Sequence, residues 1–112
     1  MRFGSLRIKC FEVSHAGTSS LGYTISNRSG QRIAVSGDTR PCPNLEREVE
    51  CADLALLEST YGDADARYAE RHGHMITSEA RAIGKKAKRS VLIHTSPKEY
   101  FGKITCGQES RR

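Results

Sequence analysis

Of the side chains in this 112-residue sequence that could carry chemistry, Asp38, Glu58 and His94 share one property: each ends or follows an apolar run that reads as a strand. Strand ends that face the same way bring distant residues together, and reactive groups on loops at the edge of a rigid sheet are a recurrent way to build a site. His15 precedes a small polar turn, Ala16-Gly17-Thr18-Ser19-Ser20, and is likewise presented rather than buried. Two imidazoles and a carboxylate, His15, His94 and Asp38, are the donor types of a zinc site, with nitrogen and oxygen about 2.0–2.2 Å from the metal and a position left for water. Taken one at a time, each of these residues more often serves as a surface or capping group. Composition and spacing alone do not overturn that.

The elements that must position these residues can be read from hydrophobic periodicity. Residues 6–14, 21–26 and 32–36 alternate apolar and polar and are predicted strands, the last two joined by the polar connection Asn27-Arg28-Ser29-Gly30. Gly37, Pro41 and Pro43 end the pairing, so Asp38 falls in a loop just past a strand. Asn44 is a candidate cap for a helix over 45–50, and Ala52–Leu57 is an apolar run suited to a buried strand that delivers Glu58. Residues 64–71 look helical and Gly73 breaks the pattern. Thr77 or Ser78 can cap a further helix with Ile76, Ala80, Ile83 and Ala87 on one face. Ser90–His94 closes the series as another strand. A run of strands followed by strand–helix alternation predicts a mixed α/β chain with one sheet covered by helices on one face.

A chain of this length makes one small domain over 1–112, with a modest core. Its 37% hydrophobic and 28% charged residues are those of an ordinary globular protein. No apolar run approaches the roughly 20 residues needed to cross a bilayer, and the first residues lack a signal peptide's apolar core, so the expected location is the cytoplasm, with no membrane partner. The cysteines at 10, 42, 51 and 106 form no CxxC pair and are expected to be reduced and structural. The net charge of +5 is uneven: residues 1–84 hold ten Lys/Arg and eleven Asp/Glu, whereas 85–112 hold eight and two. A basic end is compatible with a polyanionic partner, and equally with a solvated face in which Lys85, Lys86, Lys88 and Arg89 complement a helix C-terminus.

The wording around the candidate residues narrows the choice. The run Ser36-Gly37-Asp38-Thr39-Arg40-Pro41-Cys42 resembles the SGDTRPC motif of the ribonuclease Z family, zinc-dependent hydrolases of the metallo-β-lactamase fold that trim the 3′ end of precursor tRNA. Four further segments follow the family's order. His15 with Ser20-Leu21-Gly22-Tyr23 resembles an upstream ligand motif, and Leu57-Glu58-Ser59-Thr60 the HEAT/HEST segment. Gly73-His74-Met75 with Thr77 resembles GHMT/GHST, and Leu92-Ile93-His94-Thr95-Ser96-Pro97 the last ligand motif. The resemblance covers roughly residues 13–100 and implies the C-terminal half of an αββα sandwich.

It also implies roles. His15 and His94 would each ligate one of two zinc ions and Asp38 would bridge them. Glu58 and His74 would form a carboxylate–imidazole couple in which His74 is the general acid. His72 matches nothing in the family's pattern and reads as a solvent residue. The HxHxDH motif that opens family enzymes is absent, Leu57 replaces a histidine, Ile76 stands where threonine is common, and Lys98-Glu99-Tyr100 replaces an arginine–tyrosine ending. The chain is therefore expected to be inactive alone, needing an N-terminal half or a partner chain to act on precursor tRNA or another phosphodiester, and to self-associate as a homo-oligomer when it lacks that half. Two other readings remain at this point: a non-catalytic subunit or remnant that packs against a partner or binds nucleic acid, and a metallo-β-lactamase-fold hydrolase of small esters.

Overall fold

In the computed structural model, which describes residues 1–95, the alternating segments pair into one six-stranded sheet in chain order. The strands are β1 (Arg2–Phe3), β2 (Leu6–Glu12), β3 (Leu21–Ser26), β4 (Arg32–Val35), β5 (Leu54–Glu58) and β6 (Arg89–Ile93). Three helices connect the later ones: α1 (Pro43–Glu50), α2 (Ala66–His72) and α3 (Thr77–Gly84). β1 to β4 are antiparallel neighbours, while β4, β5 and β6 are parallel. The mixed sheet matches the expected class. The short β1, folded back by Gly4 at φ 63°, was not expected, because two residues are too few to show a period.

Strand direction places the site. Two antiparallel pairings in succession make β2 run the same way as β4, so β2, β4, β5 and β6 all end at one rim. His15, Asp38, Glu58 and His94 follow or close those four strands. Several boundaries differ from expectation. The first long strand stops at Glu12 rather than residue 14, β5 begins at Leu54 with Glu58 as its last residue, and β6 ends at Ile93. His94 turns out of the ladder with φ 52°.

The helix starts are also corrected. Cys42 is the residue before α1 and Pro43 occupies its first turn, where a missing N–H costs nothing. Asn44 caps nothing; its amide donates to the Glu12 carbonyl at 3.0 Å and ties α1 to the end of β2. At α3 the first residue outside the helix is Ile76, not Thr77 or Ser78, and its N–H donates back to Glu79 Oε1 at 3.1 Å. Ala87 lies beyond the helix but still packs on the core.

The core lies between the helices and one face of the sheet. Phe11, Ala34, Ala55 and Leu57 from the strands meet Leu45 and Val49 of α1 and Ala80 and Ile83 of α3, with Met75 between. The opposite face carries Ile8, Tyr23, Ile25, Ile33, Val35, Leu54, Leu56 and Val91 in register across the strands. None of them belongs to the core, and Tyr23 and Leu21 are each 40% exposed. An apolar sheet face of this breadth is left uncovered by the described residues. The cysteines divide: Cys42 packs against the core, whereas Cys10 and Cys51 are exposed and so are not structural in the expected sense. No described helix is long and apolar enough to cross a membrane.

Two carboxylates are buried, Glu58 at the rim and Glu48 on α1. Burial raises the proton affinity of Glu48, but hydrogen bonds from Lys9 (2.8 Å) and Thr24 (3.1 Å), with the charges of Lys9 and Arg32, outweigh it and hold the carboxyl below its ordinary value of 4.5. A carboxyl depressed on folding contributes stability that is complete above about pH 4.5 and is lost as acid titrates through the lower folded value. Glu48→Gln should therefore flatten the acid limb of stability. Urea midpoints measured from about pH 3 to about pH 7 check it; an acid limb as steep as that of the unaltered chain would contradict it.

Candidate metal centre

Three loops and a strand end meet at the rim. Glu58 anchors them. It is 1% exposed and accepts hydrogen bonds from Thr39 N–H (3.0 Å), Thr60 N–H (3.0 Å), the Thr60 hydroxyl (2.9 Å), Met75 N–H (3.2 Å) and His74 Nδ1 (2.7 Å). These donors come from the Asp38 loop, from Glu58's own strand end and from the His74 loop. They fill the acceptor capacity of a carboxylate and fix the loops relative to β5. Ser36 helps from below, its hydroxyl accepting the Glu58 N–H at 3.0 Å.

The five residues singled out from the sequence converge here. Donor atoms of His15, Asp38 and His74 all lie within 4.8 Å of one another, as do those of Glu58, His74 and His94. Asp38 Oδ1 stands 3.3 Å from His94 Nδ1. Two donors each about 2.1 Å from a tetrahedral ion are roughly 3.4 Å apart, so this spacing suits a shared cation. His15 has its free nitrogen defined as well: its Nδ1 lies 2.9 Å from the Gly73 carbonyl, which can only accept. In the neutral ring Nδ1 therefore carries the hydrogen and Nε2 keeps the lone pair that a metal needs. The donor set fits zinc in type and in convergence. His74 Nδ1 faces Glu58, which leaves Nε2 of that ring for a substrate or ion.

Backbone geometry makes the approach possible. Gly73 adopts φ +79°, and a Cβ there would meet His15 Nδ1 at 2.6 Å and the Ala16 nitrogen at 2.7 Å. Gly37, at φ +65°, lets the chain turn over Leu21, whose carbonyl oxygen would clash with any side chain. Both glycines precede a site residue.

Two contributors were not singled out from the sequence. The Thr60 hydroxyl, 2.9 Å from Glu58 Oε2, also lies 3.0 Å from His94 Nδ1 and 3.2 Å from His74 Nδ1, between the two rings. Arg40 donates to the His74 carbonyl (2.8 Å) and to both carboxylate oxygens of Glu79 (2.8 and 3.0 Å), while its own N–H donates to Ser14 O at 2.7 Å. It clamps the ends of β2 and α3 to the Asp38 and His74 loops. Both residues were visible as motif letters; apart from Glu58, two positions from Thr60, their partners are 14 to 39 positions away and carry no sequence signal. Ser96, Pro97 and Lys98-Glu99-Tyr100 of the last motif lie outside the described residues.

A family profile described as "Beta-lactamase superfamily domain" matches residues 1–95. The chain belongs to the beta-lactamase superfamily. Within the superfamily, a protein named Ribonuclease Z from Gemmatimonas aurantiaca is 41% identical over 86 residues, 75% of this chain and 27% of that protein. Another of that name from Myxococcus xanthus is 41% identical over 71 residues, 62% of this chain and 23% of that protein. The crystal structure of human tRNase Z, short form, superposes with a TM-score of 0.75 at 28% identity, covering 88% of this chain and 39% of that one. The resemblance to ribonuclease Z carried by the motifs is thus borne out, and the chain spans about a quarter of the length of the curated relatives it matches.

Removing Arg40 deprives Glu79 and the His74 carbonyl of donors at once. Arg40→Ala should lower the unfolding free energy by about 1–2 kcal/mol, and Arg40→Lys should recover only part of it, because an ammonium cannot span both Glu79 oxygens. Urea denaturation decides: equal stability of Arg40→Ala and the unaltered chain would show that the clamp holds nothing.

Proposed function

We propose that residues 1–112 form the C-terminal half of a zinc-dependent phosphodiesterase of the ribonuclease Z type, an endoribonuclease processing the 3′ end of precursor tRNA. The observation that carries this reading is the convergence of His15, Asp38, His74 and His94 around the buried Glu58, in a chain whose motifs and relatives are those of ribonuclease Z. His15 and His94 would each hold one of two zinc ions and Asp38 would bridge them. When bound, the ions supply Lewis-acid stabilisation of the phosphodiester and activation of water. The remaining ligands would come from an N-terminal half or partner chain, and the apolar sheet face is the surface that such a half would cover.

The chain's own chemistry lies in the Glu58–His74 pair. Glu58 Oε1 faces His74 Nδ1 at 2.7 Å, which orients the ring for proton transfer through Nε2. Nε2 of the imidazolium then gives its proton to the departing 3′-oxygen, and the ring returns to neutral. Thr60 keeps His74 and His94 in register, and Arg40 keeps the His74 loop against α3. Three ligands shared between two ions are too few to retain both tightly, so the chain alone takes up zinc weakly and cleaves negligibly.

A non-catalytic subunit is the second reading, favoured by the uncovered sheet face and the basic residues Lys85, Lys86, Lys88 and Arg89. Reconstitution separates the two. Combined with a segment carrying HxHxDH, the chain should cleave a 3′-extended precursor tRNA in the presence of zinc, and Asp38→Ala should reduce that cleavage to background while leaving RNA binding nearly unchanged. Cleavage by the chain alone at full strength, or indifference to Asp38→Ala, would contradict the proposal. Without its complement the chain should run as a homo-oligomer or larger in size-exclusion chromatography; a stable monomer would argue that no half is needed to cover the sheet.

A further inference from the structure

Beside His74, on the side of α2, three rings line up that the proposed reaction does not use. Tyr61 lies close to parallel with Tyr68 (centroids 6.4 Å, 27°) and with His72 (6.5 Å, 26°), and meets His74 edge-on at 5.9 Å. Tyr68 and His72 are four residues apart on α2 and so share one face of it. That face is exposed: Tyr68 is 54% accessible and His72 is open to solvent. α2 is anchored through Ala69, which is fully buried, and is ended by Gly73 in the left-handed conformation. Arg67 and Arg71, also four apart and exposed, form the neighbouring stripe on the same helix.

Exposed rings beside a stripe of guanidinium groups are the combination that holds single-stranded nucleic acid, with bases on the rings and phosphates on the cations. We propose that Tyr68 and His72, backed by Tyr61, form a stacking shelf for an unpaired nucleobase flanking the phosphodiester that is placed at His74, with Arg67 and Arg71 meeting the adjacent phosphates. This rests on the reading of the site as a phosphodiesterase acting on RNA. Stacking requires no base edge, so the shelf selects an unpaired strand over a duplex and does not select a sequence.

The test uses the full chain and a short single-stranded RNA carrying one 2-aminopurine, at low salt. The unaltered chain should quench the probe on binding. Tyr68→Ala should weaken binding about 10-fold, the scale of one lost base stack, Tyr68→Phe should restore it, and Arg67→Ala with Arg71→Ala should flatten the salt dependence. Absence of quenching by the unaltered chain, equal binding by Tyr68→Ala, or equal affinity for a duplex of the same sequence would overturn the shelf. Circular dichroism of Tyr68→Ala should be unchanged, since the residue is exposed. The two proposals fail separately. Quenching lost in Tyr68→Ala without zinc-dependent cleavage by the reconstituted protein keeps the shelf and sinks the nuclease. Cleavage that needs Asp38, with Tyr68→Ala binding normally, does the reverse.

Discussion

A single buried carboxylate governs the rim of this protein. Glu58 is sealed from water and is tolerable there only because donors from three segments converge on it. An uncompensated charge in that position would cost more than any one of the contacts returns, so the Asp38 loop, the β5 end and the His74 loop are forced into a common arrangement. The spacing of Asp38 from His94, and of His74 from His15, is a consequence. Loops that carry chemistry are usually the least constrained part of a fold; here they are tied by backbone N–H groups to one side chain.

The next layer of support comes from strand direction. Four strand ends face one rim because two antiparallel turns are followed by two crossovers into parallel pairing, and this is a property of connectivity rather than of any residue at the site. The same connectivity puts the helices on one face and leaves the other apolar and uncovered by the described residues. A half-sandwich of this kind buries its core and still presents a surface that asks for a second layer. On the proposed reading, the candidate ligands and the apolar face point the same way: one further segment would supply both the additional donors and the second layer.

Much of the architecture was legible in advance, and the misreadings have specific causes. Period-two alternation found β2, β3 and β4, and the apolar runs found β5 and β6, because a sheet with a buried face imposes that pattern. Helix starts were misplaced at Asn44 and at Thr77 or Ser78, since capping propensity describes an isolated helix; here Pro43 begins the turn earlier and Glu79 reaches back to Ile76. His72 was read as a solvent residue, and its exposure bears that out, but its stacking on Tyr61 was invisible, because nothing in the spacing of 61 and 72 announces a ring contact.

By itself the sequence determined the class of fold, strands β2 to β6 of the sheet to within about two residues and the candidate donors, since hydrophobic period and short local motifs are properties of neighbouring residues. Tertiary structure alone decided which donors share a neighbour. The 3.3 Å between Asp38 and His94, the clamp of Arg40 on Glu79, the Thr60 hydroxyl between two imidazoles and the carbonyl of Gly73 on His15 all join residues that are far apart along the chain. Such contacts depend on how the loops are stacked above the sheet, which is set by the satisfaction of one buried charge and not by any local preference of the residues involved.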